Sequence, residues 1–189
     1  MKKLLKFMGL LLVAGALFMG CQQNVDIDTD EITLSDGTWD ANWNVSASYS
    51  DEGYKFKIAT DTDEQYKVAD KIATLKSSKT TYSYSMTLPD EATDAMITAF
   101  KEQMELSKDD DETVTVKGKT ITVKSTETMS AEDIAKAKPT SATLEKEDFP
   151  EGTVFKANKK KTEYKVTYNV AVTGELYSSV KYEINFKKK

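Results

Sequence analysis

The chain has 189 residues and a formal charge of −5, with 31 acidic residues set against 26 lysines, no arginine and no histidine. Without histidine there is no Ser-His-Asp or Cys-His catalysis and no imidazole metal ligand. Without arginine there is no bidentate guanidinium fork for phosphate or carboxylate, and the acidic balance disfavours nucleic acid, whose binding depends on neutralising phosphates.

The chain opens Met1-Lys2-Lys3-Leu4-Leu5-Lys6, a short basic region, and continues in an apolar run from Phe7 to Gly20 that stops at Cys21. A basic start, an apolar run of this length and a small residue at the cut describe a secretory signal peptide, too short to span a bilayer as a helix. Cys21 is the only cysteine. The stretch Leu17-Phe18-Met19-Gly20-Cys21 resembles the bacterial lipobox, with Gly20 and Cys21 in pattern, Phe18 where leucine is usual and Met19 where a small residue is usual. The resemblance implies cleavage between Gly20 and Cys21, diacylglycerol on the Cys21 sulfur and acylation of the new amino group. Residues 1–20 are then a cleaved signal peptide, 21–35 a lipidated acidic tether and 36–189 a single globular domain. Loss of Lys2, Lys3 and Lys6 leaves the mature chain near −8.

From Trp39 to Tyr49 the odd positions are apolar and the even ones polar, the alternation of a half-buried strand. A turn at Ser50-Asp51-Glu52-Gly53 leads to Tyr54, Phe56 and Ile58. Pairing Tyr49 with Tyr54, Ala47 with Phe56 and Val45 with Ile58 gives a hairpin with a four-residue loop. Residues 62–76 are ambiguous, and Tyr66, Val68, Ile72 and Leu75 fit a short helix slightly better than a strand. Tyr82, Tyr84, Met86 and Leu88 restore a strand. Pro89-Asp90-Glu91 then suits a helix first turn, and Ala92, Ala95, Met96, Ala99, Phe100 and Met104 form one stripe of a helix near 90–107.

A charged break at 108–112 precedes a hairpin in which Gly118-Lys119 make a type II′ turn, pairing Val116 with Ile121 and Val114 with Val123. Ser130-Ala131-Glu132-Asp133 resembles a capping box, opening a short helix near 131–138 before Pro139. Finally Tyr164, Val166, Tyr168, Val170 and Val172 share one strand face, as do Val180, Tyr182, Ile184 and Phe186. A loop at 173–177 would pair Val170 with Val180, Tyr168 with Tyr182 and Val166 with Ile184. The fold class is mainly β to α+β: an antiparallel, hairpin-built sheet of about seven or eight strands, curled or barrel-like, with the longer helix packed on it.

Gly37-Thr38-Trp39 is similar to the G-x-W that opens the first strand of the lipocalin family, which implies an eight-stranded barrel around a small apolar ligand. That family usually sets a basic residue, often arginine, against this tryptophan, and its strand order lacks a helix after the third or fourth strand. Asp26-Ile27-Asp28-Thr29-Asp30 spaces carboxylates like a calcium loop, but Glu31 stands where a glycine is needed and Gly37 where the bidentate glutamate belongs. Asp61-Thr62-Asp63-Glu64 and Asp109-Asp110-Asp111-Glu112 read as solvated loop charge, and Lys159-Lys160-Lys161 and Lys187-Lys188-Lys189 as a solvated turn and tail, with contact to an anionic surface as the alternative. Tyrosines on the strand faces are core aromatics or a binding surface.

No catalytic, cofactor-binding or metal residue is assigned. The expectation is a lipid-anchored envelope protein, held in the membrane through lipid on Cys21, with a non-enzymatic structural or interaction role. Its partner is a protein or, in the lipocalin-like alternative, a small apolar ligand; a carboxylate-based hydrolase ranks last.

Overall fold

A computed structural model describes residues 27–172 and 179–189. The expected signal peptide, the lipobox-like stretch with Gly20 and Cys21, and the loop expected at 173–177 lie outside the described residues. Among the described residues twelve strands and two α-helices follow in order: β1 (Ile27–Asp28), β2 (Glu31–Thr33), β3 (Gly37–Asp51), β4 (Tyr54–Ala69), β5 (Ile72–Thr87), α1 (Asp94–Ser107), β6 (Glu112–Lys117), β7 (Thr120–Thr128), α2 (Ala131–Lys136), β8 (Thr140–Ser141), β9 (Thr143–Glu145), β10 (Val154–Ala157), β11 (Glu163–Ala171) and β12 (Ser179–Lys188). Ten of the strands form one antiparallel sheet in the order β1-β10-β11-β12-β3-β4-β5-β7-β6, with β8 beside the start of β5, and β2 pairs β9 separately. The sheet is mainly hairpin-built, as the alternation predicts, but it stays open and does not close into a barrel. The strands beyond the expected seven or eight are short ones, β1, β2, β8, β9 and β10, too brief to display a period of two.

Residues 27–35 do not behave as a tether. β1 pairs β10, with Ile27 opposite Ala157, β2 pairs β9, and Ile32 and Leu34 are 0% and 3% exposed. Leu34 N–H donates to the Ala142 carbonyl, closing the segment onto the chain after β8. Two apolar side chains spaced for one face of a strand were hidden among five acids and threonines.

The β3–β4 hairpin forms two residues out of the expected register: Asp51 pairs Tyr54, Tyr49 pairs Phe56 and Ala47 pairs Ile58. Glu52 and Gly53, at φ 45° and 83°, both take the left-handed region that a two-residue type I′ turn requires. A slip of two keeps every side chain on its face, so alternation alone could not choose between the registers, whereas the turn does. Residues 62–76 are not helical. β4 runs on to Ala69, turns at Asp70-Lys71 with φ of 51° and 61°, and returns as β5. The pairing shifts between Gln65 and Tyr66, where Gln65 meets Ser77 and Tyr66 meets Leu75. Lys76 is therefore the extra residue of a bulge, and the inward parity of β5 changes from odd (Ala73, Leu75) to even (Ser78, Thr80). That switch breaks the alternation from which a strand is read.

Helix α1 begins at Asp94 behind the Thr93 cap, four residues later than expected, because Pro89–Ala92 close a turn in which Ala92 N–H donates to the Pro89 carbonyl. Its inward stripe is Ile97, Phe100 and Met104; Ala95, Met96 and Ala99 face solvent. The bulkier residues at i, i+3 and i+7 bury more apolar area than the alanines, so they take the sheet side. The Gly118-Lys119 hairpin and the β11–β12 pairing have the expected registers, and Ser130 Oγ accepts from the Asp133 N–H at 3.1 Å. α2 ends at Lys136, two residues short of the expected span.

The core is divided. One apolar cluster, built on Trp39, Ile32, Leu34, Val68, Phe155, Tyr164, Val166, Ile184 and Phe186, fills the end of the sheet where β3, β5 and β11 start. A smaller one, Met86, Leu88, Ala92 and Ile121 under Phe100 and Met104, fills the opposite end. Ile32→Ala removes a fully buried side chain from the first cluster, and a loss of about 2–5 kcal/mol in urea unfolding is expected. A change below about 0.5 kcal/mol would return residues 27–35 to the status of a tether.

Candidate functional site

Between the two apolar clusters the inner positions of β4 and β5 are polar, while β3 keeps Trp43, Val45 and Ala47 there. Along β4 the even positions point inward, and after Ile58 they read Thr60, Thr62 and Glu64, which are 2%, 5% and 5% exposed. Their ladder partners on β5 are Tyr82, Thr80 and Ser78. The pairs Gly37–Val68 and Ala47–Ile58 share one register, which sets Trp43 of β3 beside Thr62 and Ala41 beside Glu64. Thr62 and Thr80 hydroxyls meet at 3.1 Å. The Tyr66 hydroxyl donates to Glu64 Oε2 at 2.9 Å, and the Ser78 hydroxyl is a second donor to the same carboxyl.

No cation is among the groups that act on Glu64, so burial dominates and pushes its pKa from 4.5 up to about 7. Tyr66 is raised in turn by its own burial and by Glu64. Trp43 Nε1, also buried, finds no hydrogen-bond partner among the described residues, an omission that costs about 1–3 kcal/mol. At the open margin of this belt, Tyr82, Tyr84, Val123 and Ser125 form with Met104 and Lys108 the walls of a cavity of about 20 Å3, room for a water molecule.

The acid run 61–64 is thus mid-strand and not solvated loop charge. Its members point opposite ways: Glu64 is inside, while Asp61 and Asp63 lie on the outer face, where the Asn42 amide donates to both. Burial raises the Asp61 carboxyl, the Asn42 amide works against it, and Asp63 adds to the rise. Asp61 and Asp63 therefore share one face and one amide donor, while Glu64, on the other face, cannot join them at one substrate. Among the described residues no group of three or more acids converges as a metal site. Asp28 and Asp30 are instead tied into β1 and to Lys146, and Glu112 caps its own loop by accepting from Asp109 N–H.

Gly37-Thr38-Trp39 opens β3 as expected. Trp39 is fully buried, donates through Nε1 to the Ser35 carbonyl at 2.8 Å and stacks on Tyr164. A Cβ at Gly37 would stand 2.9 Å from Lys188 Cε, so glycine admits the lysine of the last strand. The tyrosines divide between roles. Tyr66 and Tyr164 are buried, whereas Tyr168 and Tyr182 are half-buried and stack face to face at 4.5 Å; burial, with Tyr182 alongside, pushes the Tyr168 hydroxyl up to about 12. Lys187–Lys189 are no loose tail. They continue β12, with Lys187 on Glu163, Lys188 on Ser35 and Lys189 on Asp40.

The residue that sequence reasoning missed is Glu64. The signal was the unbroken even parity from Tyr54 to Val68, obscured because the inner positions in its middle are polar. No protein-family model matches this chain, and neither a curated protein nor a solved structure does.

Because the folded chain holds Glu64 protonated up to about pH 7 while the unfolded chain ionises near 4.5, the folded state binds the extra proton between those values. Stability from this group is full below about pH 4.5, falls as pH rises toward 7 and is flat beyond. The shift corresponds to roughly 3 kcal/mol. Between pH 4.5 and 7.5, urea unfolding of Glu64→Gln relative to wild type should move by that amount in the variant's favour. A difference independent of pH would show that Glu64 titrates like a solvated carboxyl.

Proposed function

We propose that this chain is an exported lipoprotein of the bacterial cell envelope, anchored through lipid on Cys21, whose domain has a non-enzymatic structural or interaction role. The observation that carries the reading is the order of features at the start of the sequence: lysines, the apolar run from Phe7 to Gly20, and the only cysteine at the end of a lipobox-like stretch. A lone exported thiol outside such a site would be an oxidation liability, whereas as the acceptor of lipid it has a use. Two or three acyl chains hold a protein on a bilayer effectively permanently, and no described helix is long and apolar enough to cross one.

A non-enzymatic role draws support from the chemistry of the inner face. Its buried acid, 5% exposed and engaged by the Tyr66 and Ser78 hydroxyls, is held neutral below about pH 7 and presents little surface to a substrate. The half-buried Tyr168–Tyr182 and Tyr49–Phe56 stacks are rings of the kind enriched at protein interfaces and are the surface we assign to a partner. Metabolic labelling with palmitate tests the anchor. Wild-type chain should take up label and sediment with membranes, and Cys21→Ser should take up none and keep its uncleaved length. Equal labelling of the two would refute the reading.

A further inference from the structure

The two lysine runs, far apart in sequence, meet at one end of the sheet, and the chain arriving from Cys21 joins the fold there. Ile27 pairs Ala157, the last residue of β10. The turn that follows, 158–162, carries Lys159, Lys160 and Lys161, all exposed and with no ion pair among the described residues. The turn has a fixed shape: Asn158 Oδ1 accepts from Thr162 N–H at 2.9 Å and Glu163 N–H at 3.3 Å, and Lys161 N–H donates to the Asn158 carbonyl. Beside it, Glu163 pairs Lys187 in the ladder, Lys188 N–H donates to the Thr162 carbonyl and Lys189 N–H to that of Thr38. Lys187 and Lys189 are matched by Glu163 and Asp40. The lysines of the turn, with Lys71 on the β4–β5 turn and Lys188, whose partner is the Ser35 hydroxyl, are therefore the charge at this end without an ion pair among the described residues, opposed by Asp28, Asp36 and Asp70.

We infer that this basic end docks on the anionic headgroups of the membrane that holds the lipid. The inference rests on the lipid-anchor reading and takes its force from the length of chain between anchor and fold. Only Gln22 to Asp26, five residues, separate Cys21 from Ile27. At 3.3–3.6 Å per residue they hold Ile27, and the lysine turn beside it, within roughly 20 Å of the anchor. A mature chain with a charge near −8, once Lys2, Lys3 and Lys6 are removed, is repelled by an anionic surface in most orientations. Exposed lysines at the opposite end, Lys55, Lys57 and Lys117, are interspersed with the exposed acids Asp51, Glu52, Asp90 and Glu91, whereas the end where the leash attaches offers three adjacent lysines on one turn. Each lysine brought to such a surface is worth roughly fivefold in binding, so the turn favours the docked orientation by on the order of a hundredfold before Asp28, Asp36 and Asp70 reduce it. A short leash and a basic surface are then two anchoring signals acting at one place.

The test uses the acylated chain in vesicles of phosphatidylcholine alone and of phosphatidylcholine with about one-third phosphatidylglycerol, with amine-reactive footprinting of every lysine read by mass spectrometry. On the anionic vesicles, labelling of Lys159–Lys161 should fall roughly tenfold or more, and about 1 M salt, where the screening length is near 3 Å, should restore it. Lys55, Lys57 and Lys117, remote from this end, should label equally on both vesicles. In the variant Lys159→Gln/Lys160→Gln/Lys161→Gln, the protection that Lys71 gains on anionic vesicles should disappear. Equal labelling of Lys159–Lys161 on the two vesicles overturns the inference while leaving the anchor intact. Failure of the chain to float with neutral vesicles overturns the anchor, and with it the leash. Protection by soluble polyglutamate but not by anionic vesicles overturns the inference in favour of an acidic protein partner.

Discussion

The pairing of β12 with β3 is the contact on which the rest of the architecture depends. Eight successive partners, from Lys181–Ser46 to Lys188–Trp39, join the β10–β12 meander to the long β3–β4–β5 hairpins, and without it the chain would be two separate sheets with one open face each. The same pairing places Ile184 and Phe186 against Trp39, Ala41 and Val68, so the first apolar cluster is assembled from both halves. It also fixes the direction of the charged ends. Once Lys188 lies beside Trp39, Lys187 must meet Glu163 on the next strand and Lys189 must reach Asp40. β1, attached to the same half through β10, brings Ile27 to this end as well. Core, basic end and point of attachment are consequences of one strand register.

The polar belt is the other side of this arrangement. A ten-stranded sheet with a continuous apolar inner face would bury more area, yet Thr60, Thr62, Glu64 and Ser78 interrupt it where the two clusters would otherwise merge. Hydroxyl pairs such as Thr62–Thr80 satisfy one another, whereas Glu64 is tolerated only as the neutral acid and Trp43 Nε1 is left unpaired. Such a belt costs stability, as buried polar groups do when their pairing is incomplete. In exchange it specifies register: a slip of β4 by one residue would turn Asp61 and Asp63 inward, away from the Asn42 amide that donates to both, so one alignment of the long hairpin is favoured.

What could be read in advance follows the same physics. The β6–β7 hairpin was legible because Val114, Val116, Ile121 and Val123 alternate cleanly around a glycine turn, and β11–β12 because Tyr164, Val166 and Tyr168 find matching partners at Tyr182, Ile184 and Phe186. The second half of β4 was not, since its inner residues are threonine and glutamate, its turn at Asp70-Lys71 contains no glycine, and Lys76 shifts the parity of β5. Ile32 and Leu34 looked like part of an acidic leader because strands of two or three residues have no period to detect. Glu64 could be recognised as buried only after β4 was known to continue past Ile58. The meeting of Lys159–Lys161 with Ile27 was beyond reach, because it depends on two residues of β1 choosing β10.

The chemistry of the basic end bears on what it can recognise. With no arginine in the chain, every cation it presents is an ammonium on a flexible stem, a strongly hydrated point charge that imposes little geometry on its partner. Lysines held by a turn but free at their tips suit a field of mobile, individually weak anions better than one phosphate in a shaped pocket, where a planar fork would add directional bonds. A headgroup layer is such a field. With Lys187 and Lys189 bound by Glu163 and Asp40, the densest unpaired charge at this end is the turn beside Ile27, so in the proposed orientation attraction and leash act at one place. In the proposed docked orientation the domain would be held by its attachment end, and the Tyr49–Phe56 stack, beside the β3–β4 turn at the other end of the sheet, would be directed away from the bilayer.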